Sequence, residues 1–436
     1  MVPKAVSSVH LPGLGSVHPI GVSSSHLTGN SESVRRAFAA GAGFVSLKTT
    51  TGLAARNPGA TARIPEPGDR RIALLRDGKT VEAALNCETS YPHPLARYQA
   101  DLLEGALALN QPLLVSVGYE VDEIATTTAT IREVLGTNRA GIAFELSLHH
   151  AAHPDLVRGR IRAAVKGADP YPLYVKISYY GGAYLEMSRL AVMECGAAGI
   201  VGINSLGPFP DINGVLAPGE AGWLSGNLMA GVSLQICREV SELCDRRGVP
   251  YIAVGGMNDK NIGAYFWAGA SAVAACTFLM AHGVERGLAR LTRGLETAVL
   301  RAGQTSVLDI RGMERHNPLD LAAEMRRLPT RVAELTRNAI RVAGLQGALV
   351  VHVNPDTCRG CSHCAPEDGC SELAFMTLDR GKKAIDSERC ERCGACLSAC
   401  HFGAIGFQAL LEGGVDATRH IPGDPSTPLG RSGYSS

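Results

Sequence analysis

Cys358, Cys361 and Cys364 follow one another with two residues between each pair, and five residues then precede Cys370. Cys390, Cys393 and Cys396 repeat the spacing, with three residues before Cys400. Three thiolates on one tight turn can hold three irons of a cubane, and a distant fourth thiolate closes the cage, so the pattern points to iron–sulfur ligation. The competing chemistry is a pair of four-cysteine zinc sites, but these use two CxxC pairs without a third cysteine in step. Eight of the thirteen cysteines fall in this tenth of the chain. The others, Cys87, Cys195, Cys237, Cys244 and Cys276, are scattered and read as buried apolar residues.

The elements around this cluster follow from hydrophobic patterning. Short apolar runs alternate with amphipathic helical stretches from about residue 16 to residue 284. The candidate strands are Ile20–Ser24, Phe44–Leu47, Leu113–Val117, Ile142–Leu148, Leu173–Ile177, Gly199–Ile203, Tyr251–Val254 and Ala272–Ala275. Continuous apolar runs suit parallel strands buried on both faces, and eight of them with helices between predict an α/β fold, a (β/α)8 TIM barrel. A doubly wound sheet is the other architecture with this periodicity. The Pro-, Gly- and Arg-rich stretch from Asn57 to Lys79 reads as a loop inserted after the second strand, at the catalytic face of a barrel. The expected organisation is a barrel over residues 1–312, a helical linker over 313–345, a cysteine-rich ferredoxin-like iron–sulfur domain over 346–412 and a disordered Gly/Pro/Ser-rich tail over 413–436.

At 436 residues and 45% hydrophobic content the chain can bury substantial cores in two or three domains. Forty-two Lys and Arg against 41 Asp and Glu leave a formal charge of +1, which supplies no basic field for nucleic acid. The N-terminus lacks the basic start and apolar stretch of a secretory signal, so a reducing cytoplasm is expected, where clustered cysteines more often bind metal than pair as disulfides. Residues 261–284 carry no charged side chain, but Gly269 and Ser271 interrupt them. A short helix followed by a buried strand accounts for this stretch better than a membrane span.

Within the barrel, two lysines end apolar strands. Lys48 follows GAGFVSL, and Lys176 lies in VKIS. A solvated strand end is the plain structural role, whereas ligand binding or catalysis is the role the fold favours at such a position. Gly255-Gly256 follows the seventh strand and Cys276-Thr277 the eighth, where barrel loops and free backbone amides bind phosphate.

These residues resemble a family. Lys48-Thr49, VKIS, GINS around Asn204, GWLSG ending at Gly226, VGGMND and ACTFL are similar to the FMN barrel of the dihydroorotate dehydrogenases over residues 16–312. The doubled cysteine pattern resembles bacterial two-cluster ferredoxins, although Cys370 follows a longer gap and neither Cys370 nor Cys400 precedes proline. A barrel followed directly by such a unit is similar to the C-terminal half of dihydropyrimidine dehydrogenase. The resemblance implies FMN and two [4Fe-4S] clusters. One would be held by Cys358, Cys361, Cys364 and Cys400, the other by Cys390, Cys393, Cys396 and Cys370.

It further implies FMN contacts from Ser23, Ser24, Lys48, Thr49, Asn86, Lys176, Asn204, Gly226, Gly255, Gly256, Cys276 and Thr277. Lys176 would stabilise the anionic reduced flavin near N1. Asn86, Glu88, Ser147, Asn204 and Ser205 fall where the family holds a polar ring, and amide side chains supply both donors and acceptors. The family's ELNLSCP reads Glu145-Leu146-Ser147-Leu148-His149-His150-Ala151, so His150 stands at the catalytic cysteine position. An imidazole suits general acid–base work at neutral pH, which makes His150 the candidate proton donor or acceptor, with His149 beside it. Alternatively, His149 or His150 hydrogen-bonds the substrate or caps its loop; a metal site with His153 lacks a carboxylate or cysteine in step.

The expected function is oxidation or reduction of a carbon–carbon bond next to a carbonyl or amide in a pyrimidine-like or other cyclic substrate. No GxGxxG follows a strand, so electrons would come from an external ferredoxin, flavodoxin or reductase subunit. A homodimer is expected, with no nucleic acid or membrane partner. The alternatives are an electron-transfer subunit whose barrel is a non-catalytic scaffold, and a flavin-dependent redox-neutral isomerase.

Overall fold

A computed structural model describes residues 8–51, 72–77, 80–87, 91, 94–118, 121–137, 139–148, 153–210, 221–316, 318–343, 349–360, 375–386, 390, 404–411 and 414–422. Eight parallel strands close into a barrel: β1 Ile20–Val22, β2 Val45–Ser46, β3 Leu113–Gly118, β4 Ile142–Ser147, β5 Leu173–Lys176, β6 Gly199–Gly202, β7 Tyr251–Val254 and β8 Ala272–Ala275. Closure is made where Val273 of β8 pairs with Ile20 of β1. Every residue of these strands is buried, because helices cover the outside and side chains fill the inside. The eight predicted strands are therefore the eight barrel strands, and several end one or two residues earlier than the apolar run. The residues left over, among them Ser23, Ser24, Ile177 and Ile203, stand at the C-terminal mouth.

Two insertions at that mouth combine into one antiparallel sheet. Its order is Leu206–Pro210, Ala221–Ser225, Thr80–Asn86 and Ile72–Asp77. The first two strands come from the insertion after β6 and the last two from the insertion after β2. This corrects the expectation of a plain loop over residues 57–79, since Ile72–Asp77 is a strand. Flanking Pro, Gly and Arg masked the apolar run Ile72-Ala73-Leu74-Leu75, and all four of those residues are buried. The long helix Leu321–Ala343 packs against this strand and buries Leu328, Val332 and Leu335 completely. The segment expected as a linker thus carries a helix fastened to the inserted sheet.

Arg331 on that helix reaches Asp77 at 2.5 Å and Glu334 at 2.7 Å, all three partly exposed. Exposed pairs contribute little against solvent and side-chain entropy, so Arg331→Ala is expected to cost less than about 1 kcal/mol in urea unfolding. A larger loss would mean that this contact, and not the apolar face, holds the helix.

Residues 261–284 divide into a helix Ile262–Trp267, strand β8 and a helix Thr277–His282. Among the described residues no helix is long and apolar enough to cross a membrane. In the cysteine-rich unit Leu349–Val353 pairs antiparallel with Ile405–Leu411, and Phe375–Thr377 with Lys383–Ile385. Gly414–Pro422 pairs antiparallel along Ile405–Leu411 as a third strand. Backbone pairing there does not depend on the apolar content that the tail lacks.

Candidate active site

The C-terminal mouth gathers candidate residues from most of the strands. Lys176, the last residue of β5, is 4% exposed. Its Nζ donates to Ser23 Oγ at 3.2 Å and lies 3.7 Å from Glu145 Oε1 on β4. Ser116 on β3 donates to the same Glu145 oxygen at 3.0 Å. The Ser116 hydroxyl is 2.8 Å from Thr49 Oγ1, which is 3.1 Å from Ser24 Oγ. Thr49 N–H also donates to Ser24 Oγ at 3.1 Å. A continuous polar chain therefore crosses the barrel from the end of β1 to the end of β5. Lys48 is likewise buried, with its Nζ 3.4 Å from His26 Nδ1.

Asn204, just past β6, donates its backbone N–H to the Ile177 carbonyl at 2.8 Å, and its Nδ2 donates to Ser147 Oγ at 3.3 Å. The ends of β4 and β6 thus present a hydroxyl and an amide side by side. Ser205 N–H donates to Asn204 Oδ1 at 3.0 Å, which fixes the amide orientation. The hairpin contributes Asn86, which stands opposite Trp223 and donates from Nδ2 to its carbonyl at 2.9 Å. That bond ties Asn86 to the sheet, a positioning role that spacing did not suggest.

Gly226 and the Gly255-Gly256 turn are built for close approach. Gly226 has φ +94°, and a Cβ there would lie 2.9 Å from Ala83 Cα and 3.1 Å from Thr277 Cγ2. The hydroxyls of Ser225 and Thr277, 2.9 Å apart, join the sheet to the helix after β8. Gly255 and Gly256 have φ +99° and +76°. Tyr265 donates its hydroxyl to the Gly255 carbonyl at 2.6 Å, and Asn261 Nδ2 donates to that of Gly256 at 3.0 Å. Asn258 Nδ2 donates to Asn227 Oδ1 at 2.8 Å, and Asn227 Nδ2 in turn to Glu82 Oε2 at 2.7 Å. The glycine turn is consequently held from both sides. Cys276 is half-buried, with its thiol 3.6 Å from Met280 Sδ.

The β4 loop leaves the described residues at Leu148, whose N–H donates to the Lys176 carbonyl at 3.1 Å and whose carbonyl accepts from the Tyr180 hydroxyl. Burial pushes the Tyr180 phenol well above its ordinary range, so it remains a donor. Glu88, His149 and His150 lie outside the described residues, as do Cys361, Cys364, Cys370, Cys393, Cys396 and Cys400. Cys358 is buried, with its N–H on the Asn354 carbonyl at 3.0 Å, and Cys390 N–H donates to Asp386 at 2.9 Å. In the barrel, burial pushes the Cys237 thiol up to about 12 and raises those of Cys195 and Cys244, as expected for packed residues that are neither nucleophiles nor ligands.

Glu145 and Ser116 are the residues that motif spacing missed as part of the site. Glu145 sits between Phe144 and Leu146, both fully buried, and is itself 1% exposed. A carboxylate inside an apolar strand was the available signal, since burying an unpaired charge is costly.

The set suits FMN in its chemistry. Two buried ammonium groups among hydroxyls and amides match a group that carries negative charge, and the positive-φ glycines keep side chains away from the loops after β6 and β7. Residues 383–406, which span the second cysteine run, match the 4Fe-4S binding domain family. Residues 147–298, from the end of β4 into the helix Val284–Arg301, match the dihydroorotate dehydrogenase family. No curated protein matches the chain. Together the closed barrel and the two family matches support an oxidoreductase that joins a flavin barrel to an iron–sulfur domain.

Proposed function

We propose that the protein is an FMN- and iron–sulfur-dependent oxidoreductase that reduces or oxidises a carbon–carbon bond next to a carbonyl or amide in a pyrimidine-like or other cyclic substrate. The observation that carries this reading is the buried Lys176 ammonium at the end of β5, held by Ser23 and Glu145 beside the Ser147–Asn204 pair. When bound, FMN exchanges hydride with a substrate carbon, and the clusters exchange single electrons.

The chain's own residues supply the rest. Lys176 holds positive charge where negative charge develops, and its packing leaves it one geometry. Ser147, Asn204 and Ser205, with Asn86 from the hairpin strand and Glu88 two positions later in the sequence, orient a polar ring by donors and acceptors. His150, two residues beyond the anchored Leu148, gives or takes the substrate proton. Gly226, Gly255, Gly256 and Thr277 hold the phosphate, and Ser24, Lys48, Thr49 and Cys276 line the cofactor. Two [4Fe-4S] clusters sit on the eight clustered cysteines, fed by an external ferredoxin, flavodoxin or reductase subunit, in a homodimer.

Anaerobic purification followed by absorption spectroscopy tests this directly. The protein should carry flavin and iron–sulfur chromophores, and chemically reduced protein should be reoxidised by cyclic amide or enone substrates. A preparation with iron but no flavin would leave an electron-transfer subunit and overturn the reading. His150→Ala should retain flavin and lose roughly 10²–10⁴-fold in turnover, the range for a general acid or base. Cys390→Ser should release about four irons per chain, one cubane, and leave the flavin in place.

A further inference from the structure

Glu145 is a carboxylate in the barrel interior, where layers of apolar side chains are the rule. It is the only carboxylate that the described residues bring within ion-pair distance of Lys176. The hydrogen bonds around it also have a direction. Ser116 has one proton and donates it to Glu145 Oε1. The 2.8 Å contact between Ser116 and Thr49 must therefore use the Thr49 proton. By the same count the 3.1 Å contact between Thr49 and Ser24 uses the Ser24 proton. An ionised Glu145 accepts only, so every hydroxyl proton in the chain points toward it.

At the mouth this produces two adjacent hydroxyls of opposite character. Ser24 has committed its proton and receives Thr49 N–H, so its oxygen offers only an acceptor. Ser23 accepts from Lys176 Nζ and keeps its proton to donate. We infer that Glu145 is a positioning residue: its charge holds Lys176 at the mouth and polarises the Ser116–Thr49–Ser24 chain, so that a bound ring must present an acceptor to Ser23 and a donor to Ser24. This rests on the reading of Lys176 as a flavin contact, and it adds a residue whose action passes through others.

The test uses the full-length protein as purified, with the flavin midpoint potential and the unfolding equilibrium as readouts. Removing a negative charge beside the site makes reduction easier. Glu145→Gln is expected to shift the flavin equilibrium about tenfold toward the reduced form, which is about 30 mV for a two-electron couple. Glu145→Asp keeps the charge but draws it away, so a shift of about threefold in the same direction is expected. A purely structural Glu145 would lower stability in these variants without moving the potential.

In the unfolding arm, Lys176→Met should lower the folding equilibrium constant more than about 100-fold in the wild-type background and less than about tenfold when Glu145 is already Gln. Wild-type potentials in both Glu145 variants would overturn the inference. If Glu145→Gln yields no folded protein, Glu145→Asp decides by its threefold criterion. A wild-type preparation without flavin overturns the proposed function instead, and the unfolding cycle still decides whether Glu145 and Lys176 act as a pair.

Discussion

Turnover of Lys176→Met is expected to fall roughly 10²–10³-fold, the loss seen when one fixed donor aimed at developing charge is removed. The ammonium is fixed before any reaction begins: it is 4% exposed, donates to Ser23 and faces Glu145 at 3.7 Å. Because water barely reaches it, no solvent reorganisation accompanies its action, and nothing can take its place. A group that acts on the developing charge lowers kcat and kcat/KM together, whereas a group that merely binds substrate raises KM. Steady-state kinetics on Lys176→Met therefore separates the two. A raised KM with kcat intact would reduce Lys176 to a binding residue. The same variant leaves Glu145 buried without its cation, which costs about 3–5 kcal/mol. Assays at low temperature, checked by circular dichroism, keep that loss apart from the kinetic one.

Gly256→Ala is expected to destabilise the protein by roughly 2–5 kcal/mol. The left-handed φ of +76° accounts for about 1–2 kcal/mol of this in an L-residue. A Cβ at that position would stand 2.5 Å from the backbone N and Cα of Ala230, and forcing it in costs about 1–3 kcal/mol more. Ala230 opens the helix Ala230–Asp245, so the conflict is with backbone that cannot rotate away. Gly248→Ala is the matched control: its φ is +66°, with nothing within 4 Å of the added Cβ, and only the conformational part of the loss applies. Urea unfolding of both variants, with flavin content measured alongside, checks this. Equal losses would show that the helix start yields and that Gly256 serves conformation alone. Flavin content should fall in Gly256→Ala and hold in Gly248→Ala, because only the first turn lies at the mouth.

Much of the barrel is legible in the amino-acid order because its signal is local. A parallel strand buried on both faces must be a continuous apolar run, and Tyr251–Val254 and Ala272–Ala275 can be recognised without knowing what they pair with. The cysteine runs are legible for a similar reason, since a cubane needs three thiolates on one turn. The lysines at strand ends and the glycine turn are visible once the strands are placed. Ile72–Asp77 is not, because its burial comes from a helix some 250 positions later in the chain, and Arg331 of that helix meets Asp77 at a separation of 254 residues. Nor is the role of Glu145. Ser24, Thr49, Ser116, Glu145 and Lys176 form one polar chain only because parallel pairing sets β1 through β5 side by side, in chain order. The sequence by itself determined the two kinds of chemistry, iron–sulfur ligation and a cation at a strand end, since each depends on residue type and short spacing. Only the tertiary structure decided which buried carboxylate faces that cation and which way the hydroxyl protons point. Hydrogen-bond direction is a property of groups in contact, and these contacts join residues that lie tens of positions apart.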